Sequence, residues 1–237
     1  MLMKLCLIIP TLNEENNIHK IYKKIQNTKI KLDIIFVDDN STDKTRLIIK
    51  KLSNKNKNVK FIFRNNKRGI GSAHKDAIKY AYKKNYSLII TMDADGTHDP
   101  KYFHSMIKKA HEYDYVITSR FKKINLIEDW PIERKIITYT RHFLIKLFLG
   151  LSYDASGAYR CFMTNKIPLK IFSQSKNNDY AFFWEITYLI KLEKYSIYEL
   201  PVRLVYRKLG KSKMQFKHII NSFFYLLKMF FERKFLK

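Results

Sequence analysis

The chain has 237 residues, with 46 Lys plus Arg against 21 Asp plus Glu and a formal charge of +25. Its 46% hydrophobic and 15% aromatic content supplies the core formers that a disordered basic tail lacks. Six Gly, five Pro and two Cys exclude collagen-like, linker-like and disulfide-framework classes, and the length fits one large α/β domain or two small ones.

Leu5-Cys6-Leu7-Ile8-Ile9 predicts a short buried strand ended by Pro10, too short for a secretory signal, so a cytoplasmic protein is expected. Ile18, Ile21, Tyr22 and Ile25 follow at helical spacing. Ile34–Val37 predicts a second strand with Asp38-Asp39-Asn40-Ser41 as its loop. Ser41 or Thr42 is the expected cap of a helix carrying Leu47, Ile48 and Leu52. Val59–Phe63 predicts a third strand, and Arg68-Gly69-Ile70-Gly71 leads into a helix through Ala73, Ala77 and Ala81. After a fourth strand, Leu88–Met92, Asp99-Pro100 reads as cap and first residue of a helix with Phe103, Met106, Ile107 and Ala110 on one face. Tyr115–Thr118 is the fifth strand. From Tyr198 to Tyr206 an alternating pattern predicts a strand with Glu199, Arg203 and Arg207 on one face.

Strands alternating with helices imply a mostly parallel sheet covered on both faces, with any ligand beyond the carboxyl ends of the strands. Three of those ends carry Pro10-Thr11-Leu12-Asn13-Glu14, Asp38-Asp39 and Asp93-Ala94-Asp95, so the acidic groups of a very basic chain converge on one edge. Two readings fit Asp93 and Asp95: a strand-end turn whose carboxylates cap backbone N–H groups, or a seat for a hard divalent cation. The cationic excess fits nucleic acid, phospholipid head groups, a phosphorylated substrate, or plain codon bias. An acidic ligand edge argues against a nucleic-acid footprint.

The ordered set Ile9-Pro10-Thr11-Leu12-Asn13-Glu14, Val37-Asp38-Asp39-Asn40-Ser41, Arg68-Gly69-Ile70-Gly71 and Met92-Asp93-Ala94-Asp95 resembles family 2 glycosyltransferases of the GT-A fold. It resembles in particular the polyprenyl-phosphate sugar synthases, the group of the dolichol-phosphate mannose synthases. Thr118-Ser119-Arg120, Trp130–Lys135, Asp154–Arg160 and Arg207–Lys213 extend the likeness. It implies a nucleotide-diphosphate sugar held by Pro10, Thr11, Leu12, Asn13, Glu14, Val37, Asp38, Asp39, Gly69, Asp93, Ala94 and Asp95. Arg207 and Lys213 would contact the diphosphate. Asp95, with Asp93, would hold Mg²⁺ or Mn²⁺; Thr97, where relatives often have Gln or Ser, is a weaker candidate ligand. Gly96, Asp99 and Tyr159 also depart from the family pattern. Arg120, Arg134, Thr138 and Ser212 would receive the phosphate of a polyprenyl phosphate such as dolichyl or undecaprenyl phosphate, and Arg120, Arg134 and Arg207 would screen charge during transfer.

The implied enzyme is an inverting, metal-dependent glycosyltransferase using GDP-mannose first and UDP-glucose second. The alternative acceptor is a glycan or lipid-linked sugar hydroxyl, for which Glu128-Asp129 is the candidate base. Residues 1–214 are expected to form the catalytic domain and 215–237 an amphipathic helix. The apolar run Ile219–Leu227 would reach about 14 Å as a helix against about 30 Å of hydrocarbon, so it cannot span. Together with the apolar stretch Lys135–Leu149, it predicts helices in the interface of an anionic membrane on the cytoplasmic side, or a separate anchor subunit; the alternative is a terminal helix packed on the catalytic domain or on a partner chain.

Overall fold

Residues 3–66, 68–123, 126–206 and 215–235 are described in a computed structural model of the chain. Seven strands form one sheet in the order β3-β2-β1-β4-β6-β5-β7. They are β1 (Leu5–Thr11), β2 (Asp33–Asp38), β3 (Val59–Phe63), β4 (Leu88–Thr91), β5 (Tyr115–Ser119), β6 (Arg160–Met163) and β7 (Ile197–Pro201). All pair in parallel except β6, which runs antiparallel between β4 and β5. The central strands are apolar on both faces because helices cover both. Pro10 is tolerated in β1 because the ladder to β4 ends at Ile8↔Thr91, so its missing N–H points where no strand remains to accept it.

On one face lie α1 (Ile18–Gln26), α2 (Thr45–Lys55) and α4 (Phe103–Glu112), burying Ile18, Ile21, Ile25, Ile49, Leu52, Phe103, Met106 and Ala110 against the sheet. On the other lie α3 (Ile70–Lys83), α6 (Leu169–Gln174) and α7 (Phe182–Leu192). Both cysteines are free, Cys6 packed toward this second face and Cys161 toward the first. A third cluster joins α5 (Ile132–Leu149) and α8 (Phe216–Phe235) to α7 through Ile145, Leu149, Trp184, Tyr188 and Leu226. Tyr225 on α8 also donates its hydroxyl to the buried Glu185 at 2.7 Å.

Three local expectations need correction. Ser41 and Thr42 do not cap α2; the carboxylate of Asp43 accepts from Thr45 N at 2.9 Å, while Ser41 is turned toward Asp38. Leu47 is half exposed, and the buried stripe of α2 is Thr45, Ile49 and Leu52. The final strand stops at Pro201, so Glu199 and Arg203 do not share a strand face: Glu199 is buried and Arg203 pairs with Asp129 in solvent. Strand β6 and helices α6 and α7 were not anticipated. Helix α7 is buried nearly all round, so it carries no amphipathic period to read.

His74 on α3 is buried between Phe182 and Phe183, with Nε2 lacking a hydrogen-bond partner. Burial, with repulsion from Arg160 and His98, pushes its pKa down to about 3. The unfolded chain therefore takes up this proton more readily. The stabilising contribution is complete above the ordinary histidine value near 6.5 and is lost as pH falls toward 3. In denaturant titrations between pH 6.5 and 4, His74→Phe is expected to lose less stability than the wild type, by about 1.4 kcal/mol per pH unit. Parallel curves for the two proteins would contradict this.

Candidate active site

Because β1, β2, β4 and β5 run in parallel, their carboxyl ends open on one edge of the sheet. Antiparallel β6 brings the loop that precedes it, residues 154–159, to the same edge.

On the β1–β2 side, the acidic pair divides its work. Asp38 has no exposed surface and accepts from Thr11 Oγ1 at 3.1 Å, Ser41 N at 2.9 Å, the Ser41 hydroxyl, and Arg46 Nε at 2.5 Å. Val37 is packed under α3 in the core. Asp38, Val37 and the buried Thr11 therefore form the wall beneath a ligand rather than its contact surface. Asp39 accepts from the backbone N–H groups of Arg68 and Gly69, each at 3.0 Å, and pairs with Arg64 at 3.0 Å. Gly69 has φ +94°, and a Cβ there would collide with Asn178 and Asp179; a Cβ at Gly71 would lie 2.6 Å from that of Phe182. These glycines are required by close approach of the 178–182 segment. Asn13 holds the β1 and β2 loops together, accepting from Thr42 N and donating its own N–H to Ser41 Oγ, each at 2.8 Å. Glu14 accepts from Asn17 Nδ2 at 2.6 Å and donates its N–H to Thr45 Oγ1. Pro10 and Leu12 are partly exposed above this frame.

Beyond β4, Asp93 and Asp95 are partly exposed and Ala94 is buried between them. Asp93 N–H donates to His98 Nδ1 at 2.9 Å. Burial, opposed by Asp95, holds the pKa of His98 at about 4, so the ring is neutral and stacks on Tyr159. The Tyr159 hydroxyl donates to the Asp99 carbonyl at 2.8 Å. Asp95 Oδ1 accepts from Thr97 N at 3.0 Å and from Thr97 Oγ1 at 2.7 Å. The Thr97 hydroxyl thus orients the Asp95 carboxylate. Among the described residues no group of three His, Cys, Asp or Glu side chains could hold an ion by itself. Two partly exposed carboxylates suit Mg²⁺ or Mn²⁺ that keeps waters and shares substrate oxygens, and do not suit an all-protein cage.

Across the edge, Arg120 and Asp154 form a buried pair. Arg120 reaches Asp154 through Nε at 2.8 Å, Nη2 at 2.5 Å and its backbone N–H at 2.9 Å, and donates to Ser156 Oγ at 2.7 Å. Burial alone would raise the Asp154 carboxyl, but the Arg120 charge and hydrogen bonds outweigh it and hold it below the usual carboxylate range. Glu199 accepts from Asp154 N at 2.7 Å and pairs with Lys122. Arg160 shapes the same loop, donating to the carbonyls of Gly157 and Ala155.

Arg134, Thr138, Arg141 and Ile145 occupy one face of α5. Arg134 is partly buried without an ion pair among the described residues, and Thr138 is buried. The opposite face is apolar and outward: Ile132, Ile136, Tyr139, Phe143 and Leu147 are each more than half exposed. Between α5 and α8 runs a groove of about 580 Å³, lined by Ile137, Leu144, Trp184, Ile219 and Phe223 among others, with Arg141 and Ser156 in its wall. Glu128 and Asp129 are exposed, Asp129 paired with Arg203 at 2.6 Å. Arg207, Ser212 and Lys213 lie outside the described residues. No described helix is long and apolar enough to cross a membrane.

The sequence profile described as glycosyl transferase family 2 matches residues 6–167. An undecaprenyl-phosphate mannosyltransferase of Micrococcus luteus is 27% identical over 213 residues, covering 90% of this chain and 88% of the relative. A polyprenol monophosphomannose synthase of Mycolicibacterium smegmatis is 27% identical over 220 residues, covering 92% and 83%. Among solved structures, the glucosyl-3-phosphoglycerate synthase of Mycobacterium tuberculosis superposes with a TM-score of 0.62 at 14% identity. It covers 98% of this chain and 80% of that one, a likeness of fold alone. The architecture is that of the GT-A nucleotide-sugar transferases.

In the sequence Asp154 and Ser156 belong to the motif ending at Arg160 and carry no role of their own. Their signal was a lone acid placed shortly before Arg160, which only the antiparallel β6 turns toward Arg120. Asp154→Asn leaves Arg120 and Arg141 facing one another without a counter-charge, whereas Arg120→Gln leaves Asp154 still near Arg141. Asp154→Asn should therefore cost about 3–5 kcal/mol and Arg120→Gln less, as chemical denaturation would show. The reverse order would contradict this account.

Proposed function

We propose that this chain, which belongs to glycosyl transferase family 2 and is a glycosyltransferase, moves mannose from GDP-mannose to the phosphate of a polyprenyl phosphate. UDP-glucose is the second donor. The donor's base and ribose would lie over Pro10, Leu12, Glu14 and Asp39, on the frame that Asp38 and Asn13 hold rigid. Asp93 would face the sugar or ribose. Asp95 and Asp93 would hold the divalent cation, whose contribution is to offset negative charge on the departing nucleotide. Arg207 and Lys213, outside the described residues, would contact the diphosphate.

The observation that carries the acceptor reading is the α5–α8 groove: an apolar trough beside a helix face that bears Arg134 and Thr138. An isoprenoid chain fits the trough and its phosphate fits the cations. The names of the two curated relatives support the same acceptor class. A phosphate monoester loses its second proton near pH ~6 and is an oxyanion at neutral pH, so the site needs orientation and charge screening rather than a base. Glu128 and Asp129, the candidates for activating a hydroxyl acceptor, are exposed, and Asp129 is engaged by Arg203. One displacement at the anomeric carbon inverts it, giving a β-linked product from an α-linked donor. Arg120, committed to Asp154, acts by positioning the 154–156 loop and by its residual field.

The outward apolar face of α5 and the exposed Phe216, Phe224 and Phe231 on α8 would lie in the membrane interface, with the many lysines toward anionic head groups. Residues 1–214 would then be the catalytic domain and α8 a peripheral anchor on the cytoplasmic face, alone or with an anchor subunit.

Purified protein incubated with membranes and radiolabelled GDP-mannose or UDP-glucose should place label in an acid-labile, organic-extractable lipid. Label only in water-soluble glycan would favour the hydroxyl acceptor. Asp95→Ala should lower turnover about 10²–10³-fold with unchanged circular dichroism. Arg134→Ala should raise KM for polyprenyl phosphate about tenfold while sparing that for the donor. Near-wild-type kinetics for either variant would remove that residue from the site.

A further inference from the structure

Arg141 sits one turn beyond Thr138 and two beyond Arg134 on the inward face of α5, where the sequence shows only an interruption of an apolar segment. Its Nε is buried without a hydrogen-bond partner, and its guanidinium makes no hydrogen bond or ion pair among the described residues. The acid set against it, Asp154, is already held bidentately by Arg120. Burial, repulsion from Arg120 and then from Arg134, and partial relief from Asp154 bring its pKa down to about 10, so it is still a cation at neutral pH. A half-buried cation whose Nε is closed from water and unpaired among the described residues is a cost to the fold.

The same side chain is the single Lys, Arg, Asp or Glu in the described lining of the α5–α8 groove, next to Ser156. A trough that is otherwise largely apolar, with one unsatisfied cation in its wall, is complementary to an amphiphile with an anionic head. The described acids around the groove are already engaged: Asp154 by Arg120, Glu199 by Lys122, and Glu185 by the Tyr225 hydroxyl, Ser175 and two backbone amides.

We propose that Arg141 is an additional phosphate-binding residue, which with Arg134 selects a lipid monophosphate whose apolar chain lies in the groove. The inference rests on the acceptor reading above and deepens it, because a doubly charged phosphate calls for more than one cation.

The test uses the full chain, farnesyl phosphate as acceptor probe, and farnesol and inorganic phosphate as controls. Arg141→Met should raise KM for farnesyl phosphate about tenfold to hundredfold, leave KM for GDP-mannose within about twofold, and keep or raise Tm, since it removes an unpartnered buried charge. Arg141→Lys should recover most of the acceptor KM. Farnesyl phosphate should raise the Tm of the wild type more than farnesol or inorganic phosphate does, and Arg141→Met should abolish that difference. Equal stabilisation by inorganic phosphate would reduce the site to a simple anion contact and overturn the lipid specificity. An unchanged acceptor KM, an equal rise for both substrates, or loss of cooperative unfolding in both variants would each overturn the proposal by making Arg141 neutral or structural. Should the wild type transfer no sugar to any polyprenyl phosphate, the proposed function fails. The Tm arm then decides Arg141 separately: a farnesyl phosphate shift that Arg141→Met abolishes upholds the lipid site, and no shift overturns it.

Discussion

Arg120 and Asp154 are two full charges closed away from water where the end of β5 meets the loop entering β6. Removing both from solvent is expensive, and only good geometry with every lone pair engaged recovers that cost. The pair achieves this with a side-chain fork and a backbone N–H from Arg120, while Glu199 takes the Asp154 amide. Its position fixes the Ser156 loop. It also engages Asp154, the acid whose charge acts on Arg141.

The two halves of the site follow different physics. On the nucleotide side, the carboxylates of Asp38 and Asp39 are bound by main-chain amides and arginines before any ligand arrives, which makes a rigid rim. On the α5–α8 side, the cations Arg134 and Arg141 lack partners among the described residues, and the surrounding surface is apolar. Helix α5 places Arg134 and Arg141 on the same inward face as Thr138 and Ile145, while Ile132, Ile136, Tyr139, Phe143 and Leu147 are exposed on the other.

Much of the catalytic half was readable in one dimension. The five parallel strands and their covering helices follow from short apolar runs alternating with helical periods, and the acidic loops fall where such sheets open. The apolar run marks Val37 as buried, but the spacing could not show that Asp38 and Thr11 are buried too, because their burial depends on Ser41 and Arg46 closing over the strand end. Nor could it reveal that Glu199 turns inward while Arg203 stays in solvent, since that depends on where β7 ends.

The linear order of residues was enough to determine the strand–helix alternation, the acidic strand ends and the family, because those properties are local or are carried by ordered motifs. Only the folded chain decided which charges are spent and which are left over. Strand β6 is four residues long and carries no periodic signal, yet its reversed direction brings residues 154–156 to Arg120 across more than thirty positions of sequence. Ion pairing at that range is a property of three-dimensional distance and shared burial, and no pattern along the chain encodes it.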